Sequence, residues 1–279
     1  RTINLIHADK IPKLADLWRH LPPDAHKYDR GHVLAIGGSP GKVGAILMAA
    51  QAAWKAGAGW VSVASLSEVM APAWSREFTY ESLALEGEID VAAMREFIVQ
   101  RKVKAVLVGP GTMDNPLTRK VLETLSDLQK KCSLRLIFDA GALAELFSLA
   151  EGLRFDPDQT LLTPHPGEWK RLKKDIKTPG KIGDLGVVTE LLKARGMSAI
   201  YKSASPMVIS PETLRFLTRG DNRLARAGSG DVLAGLVLGL APGPYSLHEL
   251  VAMAQNMLAR SAARHEHSVS PLELLSGID

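Results

Sequence analysis

One cysteine, Cys132, in a chain of 279 residues excludes an internal disulfide. It points to a reducing compartment, the cytoplasm. Cys132 follows a helical segment and precedes a strand-like run, which reads as an inert position and not a nucleophile. Aromatic residues make up only 5% of the chain and are not interleaved with basic ones, which disfavours a nucleic-acid platform. No apolar run is long enough to span a bilayer and no signal peptide is visible, so neither membrane nor export is expected. Ser/Gly linkers, repeats and low-complexity tracts are missing as well. Several nucleotide and hydrolase signatures are absent. Gly37-Gly38-Ser39-Pro40-Gly41 is not followed by Gly-Lys-Ser/Thr, so it is not a Walker A loop. It does not read Gly-x-Gly-x-x-Gly, so a nicotinamide Rossmann reductase is disfavoured. Ser229 lacks the Gly-x-Ser-x-Gly elbow of serine hydrolases. No His/Cys/Asp/Glu set has metal-ligand spacing, and His265 and His267 read as surface residues.

What remains is ordinary globular composition, 46% hydrophobic and 23% charged, with a net charge of +4. The charges are interspersed, and this mild basic excess suits an anionic small ligand. Short apolar strands alternate with helical patterns. Val33 to Gly37, Trp60 to Ala64, Ala105 to Val108, Leu134 to Phe138, Thr160 to Leu162 and Ala199 to Tyr201 read as strands. Gly44 to Ala56 reads as a helix with Ile46, Leu47, Ala50, Ala53 and Trp54 on one face, and Pro116 to Lys130 as an amphipathic helix. Met207 to Ser210 and Leu214 to Leu217 read as a hairpin. The rhythm predicts a mostly parallel sheet covered by helices on both faces, with ligands bound at the carboxyl ends of the strands. Asp139, His165 and Lys202 all fall there, as do Gly37-Gly38-Ser39 and Gly109-Pro110-Gly111.

The most informative stretch is Ala227-Gly228-Ser229-Gly230-Asp231, followed by the apolar run Val232 to Leu240. Glycines let backbone N–H groups approach an anion, and a helix N-terminus adds partial positive charge. Asp231, in the first turn, is then placed to take a proton from a hydroxyl beside a phosphate. Taken alone, the same pentapeptide also reads as an ordinary helix cap.

Taken in order, the words Gly31-His32-Val33-Leu34-Ala35-Ile36-Gly37-Gly38-Ser39, Gly44-Ala45, Gly109-Pro110-Gly111-Thr112, Phe138-Asp139-Ala140-Gly141-Ala142-Leu143, Thr163-Pro164-His165-Pro166-Gly167-Glu168 and Gly228-Ser229-Gly230-Asp231-Val232-Leu233-Ala234-Gly235 resemble those of the ADP- or ATP-dependent NAD(P)H-hydrate dehydratases of the ribokinase-like superfamily. The resemblance implies a three-layer α/β/α sandwich. It implies dehydration of the S-form of hydrated NADH or NADPH, with ADP or ATP consumed to phosphorylate the hydroxyl before phosphate leaves, and with Mg2+ as cofactor. Carried over by position, Asp231 is the catalytic base, and Ala45, Gly111, His165 and Asp231 contact the hydrated dinucleotide. Lys202, Ser203, Ala204, Ser205 and Pro206 line the nucleotide site, and Gly228, Ser229 and Gly230 form the anion hole. Asp139 and Glu168 are supporting residues that act through water or metal-bound water. A homo-oligomer, a tetramer, is implied too, with no nucleic-acid or membrane partner.

The chain departs from that pattern in places. Lys202-Ser203-Ala204-Ser205-Pro206 stands where Lys-Gly-x-x-Thr is usual, and Asp221-Asn222-Arg223 where Asn-x-Gly is usual. The alternatives are a small-alcohol kinase of the hydroxyethylthiazole or hydroxymethylpyrimidine type, or a degenerate nucleotide-binding protein. The expected organisation is an N-terminal helical extension, 1–30, packed on a ribokinase-like domain, 31–279. The extension is too short to be the epimerase domain often fused to this family.

Overall fold

The computed structural model describes residues 2–6, 10–19, 21–66, 79–81, 84–85, 88–113, 116–148, 153–174, 184–202, 206–217 and 221–278. In chain order the elements are β1 (Thr2–Ile6), α1 (Leu14–Trp18), β2 (His32–Gly37), α2 (Val43–Lys55), β3 (Trp60–Ser65), β4 (Thr79–Glu81), β5 (Ala84–Leu85), β6 (Glu88–Ile89), α3 (Val91–Gln100), β7 (Val103–Val108) and α4 (Pro116–Gln129). They continue with β8 (Arg135–Phe138), α5 (Gly141–Ser148), β9 (Thr160–Leu162), α6 (Pro166–Lys174), α7 (Asp184–Arg195), β10 (Ser198–Tyr201), β11 (Met207–Ile209), β12 (Thr213–Leu217), α8 (Ser229–Leu240), α9 (Leu247–Ala262) and α10 (Pro271–Ser276). A one-turn 3-10 helix, Asn222–Leu224, precedes α8.

Ten strands form the main sheet in the order β1-β12-β11-β10-β9-β8-β7-β2-β3-β4. All pairings are parallel except those of β11, which runs against both β10 and β12 in the expected hairpin. Adjacent residues of each central strand face opposite layers. Val33 and Ala35 join the cluster under α2, α8 and α9, whereas Leu34 and Ile36 join the cluster under α3, α4 and α5. Both faces are therefore buried, and the central strands read as continuous apolar runs and not as alternating ones. The predicted α/β/α layering is what these two cores produce.

α8 carries the residues of most interest, and its seating is unusually close. Gly235 and Gly239, one turn apart, leave no room for a Cβ because the backbone of α2 at Ala49 and Ala53 lies directly against them. The small residues Ala49, Ala50, Ala52 and Ala53 complete that contact and are fully buried. Trp54, expected on the same buried face, is instead 43% exposed. An indole does not fit a seam built for glycine and alanine, and the helix turns it outward.

Residues 1–30 also differ from the helical expectation. They open with β1, which adds in parallel to β12 at the sheet edge, before the short α1. Thr-Ile-Asn-Leu-Ile is a strand-favouring, β-branched sequence too short for a stable helix. Cys132 is exposed just after α4, and its thiol donates to the Leu128 carbonyl at 3.2 Å.

Candidate functional site

The carboxyl ends of β8, β9 and β10 open onto a cavity of about 640 Å3, closed on the other side by the loop before α8 and by α9. Asp139 follows β8, His165 follows β9 and Lys202 follows β10, so the parallel sheet delivers all three to one edge. The cavity also takes in Glu168, Pro206, Gly228, Ser229, Gly230 and Asp231. Nine of the fourteen residues singled out from the sequence thus line one space. Ser203, Ala204 and Ser205 lie outside the described residues. Ala45 and Gly111 are not among its lining. They pack on each other where the loops after β2 and β7 meet, with a Cβ built on Gly111 lying 3.3 Å from that of Ala45. Those loops are tied by Gly38 N–H to the Pro110 carbonyl at 3.0 Å and Ser39 N–H to the Gly111 carbonyl at 2.9 Å.

The α8 N-terminus is built for an anion. Gly228 caps the helix at φ +93°, a left-handed conformation that a side chain would strain. The amides of Gly230 and Asp231 find no backbone acceptor among the described residues, so two donors point out of the helix end. The Ser229 hydroxyl lies 2.8 Å from both the Leu224 and Arg226 carbonyls. It therefore shapes the loop, leaving anion contact to the backbone.

Asp231 sits in the first turn, facing the cavity, with no hydrogen-bond donor to its carboxylate among the described residues. Burial pushes its pKa from 3.8 up to about 6. The charges of Asp139 and Glu168 push the same way, and Lys202 opposes them. A carboxylate that is unpartnered, facing a cavity and raised toward neutrality fits a general base.

Lys202 is held, not free. Its Nζ donates to Asp139 Oδ1 at 3.0 Å, with only 18% and 5% of the two side chains exposed. The same Oδ1 accepts the Thr163 hydroxyl at 2.6 Å. The ammonium lies 3.4 Å from where a Cβ on Gly230 would stand, which puts it over the helix end. Beside Asp139, Ala140 holds a left-handed backbone at φ +47°, a strain that recurs at functional loops.

The word Thr-Pro-His-Pro-Gly-Glu has a local explanation. His165 caps α6: its Nδ1 accepts the Gly167 N–H at 2.9 Å, and Glu168 Oε2 accepts the His165 N–H at 2.8 Å. This is a reciprocal capping box with proline at the first helical position. Because Nδ1 is an acceptor, the neutral ring carries its proton on Nε2, which lies 3.6 Å from Glu168 Oε1. The imidazole is 53% exposed at the cavity rim.

Asp221, which would add negative charge to the cavity, is neutralised at once. Arg223 donates to it from Nε at 2.8 Å and from Nη2 at 2.7 Å. The two departures from the Asn-x-Gly pattern compensate each other. Leu224, Gln255 and Leu258, which no sequence motif marked, also line the cavity, with Leu233, Asn222 and Arg226. Gln255 and Leu258 lie in a long helix whose periodicity marks it only as amphipathic, so no local signal separates a cavity wall from a core face.

Among the described residues no group of three or more His, Cys, Asp or Glu is disposed to hold a metal. No helix among them is long and apolar enough to cross a membrane.

A family model described as NAD(P)H-hydrate dehydratase matches residues 33–276. The bifunctional NAD(P)H-hydrate repair enzyme Nnr of Moorella thermoacetica is 34% identical over 236 residues, covering 77% of this chain and 41% of that protein. The ADP-dependent (S)-NAD(P)H-hydrate dehydratase of Xanthomonas campestris pv. campestris is 32% identical over 226 residues, covering 78% and 75%. The chain thus matches about two fifths of the length of the bifunctional relatives. Among solved structures, a ribokinase-like superfamily protein from Enterococcus faecalis superposes with a TM-score of 0.78 at 22% identity, covering 99% of this chain and 94% of that one. The ADP/ATP-dependent NAD(P)H-hydrate dehydratase from Bacillus subtilis, co-crystallized with ATP/Mg2+, gives 0.68 at 22% identity, covering 96% of each. These two establish the ribokinase-like fold.

Proposed function

The chain belongs to the NAD(P)H-hydrate dehydratase family, and from that premise we propose that it dehydrates the S-form of hydrated NADH or NADPH at the expense of ADP or ATP. The observation that carries the reading is Asp231, whose carboxylate has no hydrogen-bond partner among the described residues and a pKa pushed up to about 6, at a helix end where two amides have no backbone acceptor among those residues. The Asp231 carboxylate takes the proton of the substrate hydroxyl, and that oxygen attacks the terminal phosphorus of the nucleotide. A new O–P bond forms as the bond to the nucleotide's bridging oxygen breaks, releasing AMP from ADP or ADP from ATP. The Gly230 and Asp231 amides and the Lys202 ammonium carry the charge on the phosphoryl oxygens. Hydroxide is a poor leaving group and phosphate a good one. The ring-nitrogen lone pair then expels phosphate, and loss of the neighbouring carbon's proton restores the double bond.

In this reading His165, Ala45 and Gly111 hold the dinucleotide, the imidazole donating from Nε2. Lys202 through Pro206 border the nucleotide. Asp139 and Thr163 hold Lys202 in place, and Glu168 orders water. Glu168 would hold Mg2+ through ordered water, a single carboxylate being enough for an ion that keeps several of its waters. When bound, Mg2+ neutralises phosphate charge. A homo-oligomer, a tetramer, in the cytoplasm belongs to the same proposal, and light scattering on the purified protein tests the assembly.

The decisive assay incubates the protein with hydrated NADH and either ADP or ATP and follows the return of NADH absorbance. Recovery coupled to nucleotide consumption is expected. Recovery with neither nucleotide, or turnover of small vitamin-precursor alcohols alone, overturns the proposal.

A further inference from the structure

The cavity contains a buried polar group that the chemistry above leaves idle. Gln255, in the middle of α9, is only 7% exposed, yet it lines the cavity. Its carboxamide makes no hydrogen bond to any described residue. Buried amides in folded proteins nearly always have partners, because an unpaired donor or acceptor out of bulk water is costly. A bare amide facing a ligand cavity is the arrangement expected when the ligand supplies the partner.

The surroundings restrict that ligand. Leu224, Leu233 and Leu258 line the same cavity as Gln255 and supply apolar surface beside its donor–acceptor pair. Such a wall suits a flat heteroaromatic ring whose edge presents one acceptor beside one donor. The position selects between the two substrates. Gln255 stands on α9, which packs on α8 and on the turn Asn222–Leu224. Ala45 and Gly111, the expected dinucleotide contacts, are on the α2 and β7 side and outside the cavity lining. With the phosphates at the α8 N-terminus, the group reaching α9 is the base of the nucleotide.

We propose that Gln255 is a specificity-determining residue that reads the base of the consumed nucleotide. Its carboxamide pairs with the amino group and adjacent ring nitrogen of adenine, while Leu224, Leu233 and Leu258 cover the ring. Glutamine is a natural partner for adenine because its amide offers a donor and an acceptor side by side, matching the amino group and ring nitrogen. The inference rests on the proposed nucleotide-dependent reading of the same cavity. It adds a residue that excludes bases lacking the amino group.

The test compares ADP with purine riboside 5′-diphosphate, which lacks only the amino group. Binding is measured by calorimetry and turnover by NADH recovery, for wild type, Gln255→Leu and Gln255→Asn. Wild type is expected to bind ADP about fivefold to tenfold more tightly than the analogue, the worth of one net hydrogen bond. Gln255→Leu, of similar volume and suited to the apolar wall, should bind both alike, and Gln255→Asn should lose most of the preference through its shorter reach. KM for ADP should rise with kcat nearly unchanged, because the base is remote from the transferred phosphoryl group. Equal binding of the two nucleotides by wild type, or a preference that survives in Gln255→Leu, overturns the inference. So does an effect confined to the KM of the hydrated dinucleotide. Failure of wild type to bind either nucleotide would instead defeat the functional reading beneath it.

Discussion

Replacing Asp231 by Asn should stabilise the protein while abolishing its activity. Folding raises this carboxyl from 3.8 to about 6, roughly two pKa units. At about 1.4 kcal/mol per unit that is a destabilisation near 3 kcal/mol at most when the group is ionised. The carboxylate faces an open cavity where water screens it, so about 2 kcal/mol is the more realistic figure. Below the unfolded pKa both states are protonated and nothing is lost. Between pH 3.8 and about 6 the folded state holds a proton that the unfolded chain has released, and above about 6 the folded protein bears the full cost of the charge. An amide is neutral throughout. Asp231→Asn should therefore gain about 2 kcal/mol at pH 7, about 4 °C in Tm for a domain of this size, and the gain should shrink toward zero near pH 4. Urea and thermal unfolding of both proteins at several pH values measure it. Taking the difference between the two proteins removes opposing contributions such as His32, whose pKa burial lowers. In parallel, kcat/KM of wild type should fall below pH 6 while the variant is inactive at every pH. A variant no more stable than wild type at pH 7, or a gain that does not depend on pH, would refute the assignment of Asp231 as a desolvated base.

Removing a neighbouring negative charge should move the same titration. With Asp139→Asn the acidic limb of kcat/KM shifts to lower pH, because Asp139 is the largest charge raising Asp231; an unmoved limb contradicts that coupling. Arg226, exposed at the cavity wall with one long bond of 3.4 Å to the Ser268 carbonyl, is free to meet nucleotide phosphates. Arg226→Ala should raise KM for the nucleotide about fivefold, with a weaker salt dependence and unchanged kcat; unchanged nucleotide affinity in calorimetry argues against the contact. Gly235→Ala, a substitution that improves an exposed helix, should here cost about 1–3 kcal/mol by forcing α8 off the α2 backbone. A denaturation midpoint equal to or above wild type would show that the seam is not tight.

Much of this molecule is written locally. The β-α rhythm, the buried strands and the hairpin at β11 and β12 follow from periodicity and turn residues, which act over a few positions. The cap at His165 and Glu168 spans only three residues and is readable for the same reason. The family words order the pieces and mark candidate residues, nine of which line one cavity. Other features depend on how distant segments approach each other. Asp139 and Lys202 are 63 residues apart and meet only because β8, β9 and β10 are neighbours in the sheet. The charge compensation of Asp221 by Arg223 required geometry as well as proximity, since a spacing of two residues alone does not bring the groups together. Trp54 turned outward because α8 approaches α2 through glycine, a contact set by residues nearly two hundred positions away. The raised pKa of Asp231 and the bare amide of Gln255 are likewise tertiary properties. Burial and the field of neighbouring charges are sums over the whole fold, and no window of sequence contains them.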